Sequence, residues 1–327
     1  MITIYFNKDC KIIRDAHPGV LKTLNADELL WIDLTSPTEK EQAAVENFIN
    51  MKLLTREQSE EIESTSKYKE THDTVIANTN YFIYKGKTCH NEPASFIITR
   101  DGLLVSTHHL HLESLNEAEK RISLYPLNNT NGYHLFITVL ESLIDYDADM
   151  VELITRQLTH LSKDITSDNK IDKSVLHRIN ELQEKTMTLR ENIFDLQRVL
   201  SGILRSDKFP EGVSSRLKLM IKDVDSLINH GEISFQRLDY MQDTALGLIN
   251  IDQNEIVKIL SVAAVIFMPP TLIASIYGMN FKVMPEVDWV WEAPNGWIIP
   301  AGYIFAIALM LLATFLTYWL FKYKKWL

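Results

Sequence analysis

The run ILSVAAVIFMPPTLIASI, Ile259 to Ile276, carries no charged residue and leads into YGMN, Tyr277 to Asn280. A helix needs about 20 mostly apolar residues to cross ~30 Å of hydrocarbon, and Ile259–Met279 supplies them. Membrane segments are commonly flanked by lysine or arginine. This one ends in a glycine, a methionine and a carboxamide. Taken alone, the tetrapeptide reads as a helix end, with Asn280 as its cap or turn residue.

Outward from this stretch, Trp297–Phe321 is a second uncharged apolar segment. Buried core helices are usually shorter and carry polar residues on one face, which neither segment does, so both predict transmembrane helices. The tail FKYKKWL holds Lys322, Lys324 and Lys325, with Trp326 as an interfacial aromatic. The link between the spans holds one lysine and three acids. Positive charge marks the cytoplasmic side. The tail and the large N-terminal region are therefore expected inside and residues 280–296 outside, in a multi-pass protein of the cell inner (plasma) membrane with both termini cytoplasmic.

The 327 residues allow about two domains. Residues 251–327 carry five lysines and five acids, so the net charge of −10 belongs to the first 250 residues. An acidic region of that size argues against nucleic acid and for cation partners. Two cysteines, Cys10 and Cys89, are too few for a disulfide framework. The apolar stretch in MITIYFNKDCK is too short for a signal peptide. No nucleophile elbow, phosphate loop or zinc-enzyme motif is present, so the sequence suggests no enzyme.

Residues 1–111 read as a mixed α/β domain. ITIYF, LLWIDL, TVIANTNYFIY and ASFIITRDGLLVSTHH are rich in β-branched and aromatic residues. Arg100-Asp101-Gly102 predicts a hairpin turn, and Ser36-Pro37-Thr38-Glu39 predicts a helix start. From about residue 112 the period changes to that of helices. Leu140, Leu143, Ile144, Val151, Ile154, Leu158 and Leu161 mark one long helix. Leu176, Ile179, Leu182, Leu189, Ile193, Leu196, Leu200 and Ile203 mark a second, antiparallel to the first. Ser167–Lys170 and Asp207–Gly212 predict turns. No proline lies between Pro210 and Pro269, and helical spacing runs from Val213 into the first span. Such a helix would be ~100 Å long at 1.5 Å per residue and needs partners along its length. The expected divisions are 1–111, 112–258 with the stalk helix, the first span at 259–279, the external loop at 280–296, the second span at 297–321 and the basic tail at 322–327.

At these residues the chain resembles a known family. YGMNFKVMPE, Tyr277 to Glu286, is similar to the Gly-Met-Asn motif and external loop of the CorA family of divalent metal ion channels, FMPPT to its Met-Pro-x-Thr, and the final KKWL to the end of many members. With the α+β domain, the long helices and the two C-terminal spans, the resemblance covers the whole chain. It implies a funnel-shaped homopentamer with the first span lining one central pore. It also implies passive uptake of Mg²⁺, with Co²⁺ and Ni²⁺ as further ions, and closure by internal Mg²⁺ bound between subunits. No organic cofactor is implied; the partners are membrane lipid, divalent cations and copies of the chain.

The resemblance gives YGMN a chemistry. Mg²⁺ loses water reluctantly; a lysine at the mouth would repel it, and a carboxylate ring would compete for its inner shell. A ring of Asn280 carboxamides accepts hydrogen bonds from the ion's own waters and selects the hydrated ion. Gly278 is expected to let the chain turn sharply, and Met279 to pack behind the ring. Below the mouth, Asn254, Val257, Leu260 or Ser261, Ala264, Met268, Thr271, Ser275 and Gly278 recur at three- or four-residue steps on one helix face. Asn254 and Thr271 are polar resting points; Leu260 and Met268 gate by dewetting, although apolar residues at this spacing also serve plain packing. Val257, Ser275 and the second proline, Pro270, depart from the family's pattern. Pro269 and Pro270 remove backbone donors and are expected to kink or loosen the span.

Asp243 lies eleven residues before Asn254, on the same face, either as part of an intracellular acidic ring or as a solvated residue. Glu286 is either an acid that concentrates cations outside or a solvated loop residue. Asp223 with Asp225, or Asp145, Asp147 and Asp149, are candidates for the regulatory metal. His108, His109 and His111 offer nitrogen ligands, but read first as a strand running into a loop. Two other readings stay open: a Zn²⁺-transporting or proton-coupled relative, against which stands a stripe with no such ligand beyond the Met268 thioether, and a non-transporting membrane-anchored helical scaffold.

Overall fold

The computed structural model describes residues 1–8, 11–22, 24, 28–63, 66–85, 88–167, 173–210, 212–280, 282, 284, 286, 288–292 and 298–324. Cys10, the turn beyond Ser167, Trp297 and the last three residues of the tail lie outside these. The chain divides into two compact units, Met1–Thr244 and Ala245–Leu327. The division falls within one helix rather than at residues 111 or 258.

The first unit is built on a sheet of seven strands: β1 (Ile2–Lys8), β2 (Lys11–Asp15), β3 (Leu29–Thr35), β4 (Tyr68–Glu70), β5 (Thr74–Lys85), β6 (Thr88–Thr99) and β7 (Leu104–His108). Their order is β2-β1-β3-β7-β6-β5-β4. Only the central β3–β7 pair is parallel, which sets Asp33 beside Ser106 and Thr35 beside His108. The four strand-forming stretches of the sequence all lie in this sheet. The short β2 and β4 lacked the apolar density that marks a strand. Ile98 pairs with Leu104 across the expected hairpin, and Gly102 takes φ +79°, which the turn requires.

One face of the sheet is sealed by Val45 of α1 (Glu39–Ile49), packed with Ile2, Ile4, Ile32, Leu34 and Ile97. That helix starts where expected: the Thr38 hydroxyl accepts from the Glu41 N–H while the Glu41 carboxylate accepts from the Thr38 N–H. A single helical turn, α2 (Arg56–Glu60), follows. The other core joins Trp31, Tyr81 and Phe96 to Phe136, Leu140, Leu196, Leu200 and Val224 of the helical layer.

That layer consists of α3 (Glu113–Leu124), α4 (Gly132–Ser167), α5 (Lys173–Arg205) and the start of α6 (Val213–Tyr277). The separate α3 was not resolved by periodicity alone, because Pro126 and the turn after it interrupt the pattern. α6 is one helix of 65 residues, as the proline-free interval predicts. Its helical backbone continues through Pro269 and Pro270. Within the first unit its buried residues, Val213, Leu217, Met220 and Val224 and then Gly231, Ser234, Leu238 and Met241, keep three- and four-residue steps.

The second unit holds the rest of α6, a short ladder of β8 (Val290–Glu292) and β9 (Ile298–Pro300), and α7 (Ala301–Tyr323). The second apolar helix therefore begins at Ala301, four residues after the expected Trp297, and ends two residues after Phe321. Ile298–Pro300 pair as a strand, and the fixed φ of Pro300 suits the residue ahead of a helix. Both α6 and α7 are long and apolar enough to cross a membrane.

Candidate functional site

The end of α6 is made by its last backbone bonds. The Gly278 N–H donates to the Ala274 carbonyl at 2.9 Å, and the Met279 N–H to the Ile276 carbonyl at 3.2 Å. The second bond spans three residues and tightens the final turn. The chain turns at Gly278 and bends at Met279 without a left-handed φ at Gly278. Its constraint is space: a Cβ there would sit 3.2 Å from the Ala274 carbonyl oxygen. Asn280 is the first residue beyond this turn. It is exposed, and its carboxamide meets no partner among the described residues.

The candidate stripe occupies one face of α6. Asn254, Val257, Leu260, Ser261, Ala264, Met268, Thr271, Ser275 and Gly278 are all exposed. Val262, Ala263, Val265, Ile266 and Ile273 are partly covered, while Ile256 and Ile259, also off the stripe, are exposed. Most of the stripe falls in two columns of seven-residue spacing, Asn254-Ser261-Met268-Ser275 and Val257-Ala264-Thr271-Gly278. A seven-residue repeat on a 3.6-residue helix is the geometry of helices wound left-handed about a common axis. The apolar members are bare: Val257 is 59% exposed, Leu260 64% and Met268 66%.

Thr271 adds a detail that spacing could not give. Its hydroxyl donates to the Phe267 carbonyl at 2.7 Å. With that proton committed, the oxygen offers only lone pairs to the stripe, which suits the waters of a hydrated cation. The prolines next to it leave the Val265 and Ile266 carbonyls without their usual helical donors.

The acidic candidates behave differently from one another. Asp243 is exposed, on the Val257 column fourteen residues earlier on α6. Asp223 and Asp225 are both exposed, yet two residues apart on a helix they point to nearly opposite sides. The Asp225 carboxylate accepts from Gln197 of α5 at 2.5 Å. One ion cannot take both from the same chain. Asp145 pairs with Arg121 at 2.7 Å, Asp149 is exposed, and Asp147 is buried, with Oδ1 unpartnered among the described residues. Burial holds the Asp147 pKa well above the usual carboxylate range. Glu286 is partly exposed in the link.

The three histidines part company. His108 Nε2 faces Asp33 at 3.1 Å, the His109 N–H donates to Glu92 at 2.8 Å, and His111 meets Asn116 at 2.7 Å. Among the described residues no three His, Cys, Asp or Glu side chains gather as metal ligands.

Residues 26–324 match the sequence profile of the family described as CorA-like Mg2+ transporter protein. The chain is 31% identical over 332 residues to the Magnesium transport protein CorA of Wolinella succinogenes, covering all of both chains. It is 34% identical over 316 residues to the Magnesium transport protein CorA of Sodalis glossinidius, covering 94% of this chain and 96% of the other. In fold it is similar to the complete CorA magnesium transporter of Methanocaldococcus jannaschii, with a TM-score of 0.80 at 18% identity, covering 100% and 99% of the two chains. A profile spanning nearly the whole sequence, relatives above 30% identity along their full lengths and a shared architecture agree: the chain belongs to the CorA-like Mg2+ transporter protein family.

Proposed function

We propose that this protein is a passive Mg²⁺ channel of the inner (plasma) membrane, built as a homopentamer with both termini in the cytoplasm. α6 lines the pore and α7 stands outside it. The observation that carries this reading is the exposed stripe on α6 that ends at the carboxamide of Asn280, which has no partner among the described residues. A ring of these carboxamides accepts hydrogen bonds from the waters of Mg²⁺ and selects the hydrated ion; Co²⁺ and Ni²⁺, also strongly hydrated, pass less well. Thr271 and Asn254 supply further acceptors, Leu260 and Met268 form the constriction, and Asp243 and Glu286 bring negative charge to the two ends. The protein makes and breaks no covalent bond, so it is not an enzyme. Mg²⁺ is both cargo and regulator: bound between carboxylates of neighbouring copies, Asp223 and Asp225 first among them, it relieves their repulsion and favours the closed bundle. Because those two side chains point to opposite sides of α6, each would serve a different neighbour.

The test is flux into liposomes holding the purified protein, compared for Mg²⁺, Co²⁺, Ni²⁺ and Zn²⁺. Saturable, protein-dependent Mg²⁺ entry without a proton gradient supports the reading. Zn²⁺ entry that exceeds Mg²⁺ entry, or entry that requires a proton gradient, overturns it in favour of the zinc or proton-coupled reading. No entry of any of the four ions leaves the helical scaffold.

A further inference from the structure

A cavity of about 230 Å³ opens where the end of β5 meets α4 and α5. Tyr84, Gln157, His160, Arg178, Glu181 and Lys185 form its polar wall. In a chain of net charge −10 this wall is unusual, because hydrogen-bond donors outnumber acceptors on it. Lys185 is only 3% exposed. Its ammonium donates to Glu181 at 2.6 Å and to the Tyr84 hydroxyl at 3.4 Å, and lies 4.5 Å from the centre of the Tyr84 ring.

Burial would draw the proton from Lys185, but the bonds to Glu181 and Tyr84 outweigh it and hold the group charged. The Gln157 amide donates to the same hydroxyl at 3.2 Å. The Tyr84 oxygen thus receives two protons, which leaves its own proton to donate. Arg178 commits one guanidinium nitrogen to Asp164 at 2.7 Å and keeps the rest of its fork. Among the described residues Glu181 is the one carboxylate lining the cavity, and Lys185 engages one of its oxygens.

We propose that this cavity binds a small phosphate-bearing anion, either inorganic phosphate or a compact phosphomonoester. A tetrahedral oxyanion has acceptors for the third Lys185 proton, the Tyr84 proton and the Arg178 fork at once, and guanidinium geometry matches phosphate oxygens in pairs. The volume lies below the roughly 300–1,000 Å³ of sites for drug-sized molecules, which sets the size of the guest. The proposal does not depend on the transport reading.

Titration calorimetry of the full chain in detergent, in Mg²⁺-free buffer, tests it with inorganic phosphate and glycerol 3-phosphate as separate ligands. Saturable binding of at least one is expected, and the tighter of the two identifies the source of the phosphate. Arg178→Gln removes the fork from a half-exposed side chain, and Tyr84→Phe removes the donating hydroxyl while keeping the ring. Each should weaken binding by about tenfold, the loss of one charge-assisted or well-directed bond, with melting of Arg178→Gln unchanged. If neither ligand saturates up to ~20 mM, an affinity too weak to matter in a cell, the proposal fails. It also fails if both ligands bind Arg178→Gln as they bind the wild type.

Discussion

His108 Nε2 lies 3.1 Å from Asp33 Oδ1, and both side chains are shut away from solvent at the centre of the sheet. The other ring nitrogen, Nδ1, faces the Leu110 carbonyl at 2.6 Å. A carbonyl only accepts, so Nδ1 carries a proton; a carboxylate accepts from Nε2, so the ring carries two. Ser106 also donates to Asp33 at 2.5 Å and receives the Trp31 indole N–H at 2.8 Å. Burial alone would lower the His108 pKa, but the hydrogen bond and charge of Asp33, with the Leu110 carbonyl, raise it. A raised folded value gives stability that is complete below the unfolded value of about 6.5 and is lost as pH rises through the folded value. Melting of the wild type in detergent should therefore fall on the alkaline side of neutrality, and His108→Gln should flatten that slope. At pH 6 the variant should be less stable by about 3 kcal/mol, because it leaves the buried Asp33 carboxylate without its counter-charge. A variant with the wild-type pH slope would show that His108 is not the group responsible.

Asp147 also loses stability as pH rises, but from a lower starting pH. Its raised pKa comes from burial alone. The stability linked to it is complete below the unfolded value of about 3.9 and drains as pH rises toward the folded value, by at most about 1.4 kcal/mol per pH unit. Asp147→Asn cannot ionise, so its melting temperature should gain on the wild type as pH rises above the unfolded value of about 3.9. A constant difference over that rise would mean that Asp147 is paired when the protein is assembled.

Gly202 on α5 lies against the Tyr68 ring, and a Cβ there would overlap the ring. Gly202→Ala should destabilise the first unit by about 2 kcal/mol despite alanine's higher helix propensity. Adding Tyr68→Ala should recover part of the loss, which a melting comparison of the single and double variants will read. Additive losses would show that the two residues do not meet.

Closure by internal Mg²⁺ requires the ion to bind the closed state better than the open one. A tenfold shift between the states needs only about 1.4 kcal/mol of differential binding. Millimolar Mg²⁺ on the cytoplasmic side should reduce flux, and Asp223→Asn with Asp225→Asn should weaken that inhibition by about tenfold while sparing permeation. Flux indifferent to internal Mg²⁺ would end this mechanism. Unchanged inhibition in the double variant would move the regulatory site elsewhere.

Much of the architecture was legible because its signals are local. The β-branched strands, the Asp-Gly turn, the Thr38–Glu41 cap and the proline-free interval of α6 each depend on neighbouring residues. The stripe on α6 was legible for the same reason, since helical phase is set by spacing. What the sequence hid depends on partners distant in the chain. Asp33 and His108 are 75 residues apart and meet only through parallel pairing of β3 and β7. Asp147 looked like one of three equivalent acids, and its burial follows from which face of α4 meets the sheet. Lys185, Tyr84 and Arg178 come from a strand and a helix whose packing no motif announces. The start of α7 was misplaced because Ile298 and Ile299 are as apolar as the helix that follows.

The central claim is that hydrated Mg²⁺ passes a ring of Asn280 carboxamides. Its most direct test is Mg²⁺ uptake by liposomes holding wild type or Asn280→Ala, with the oligomeric mass of both measured in lipid. The variant should assemble as the wild type does and lose uptake by at least about tenfold, since the ring would lose its side-chain acceptors for the ion's waters. A fully assembled Asn280→Ala protein that takes up Mg²⁺ at the wild-type rate would contradict the account.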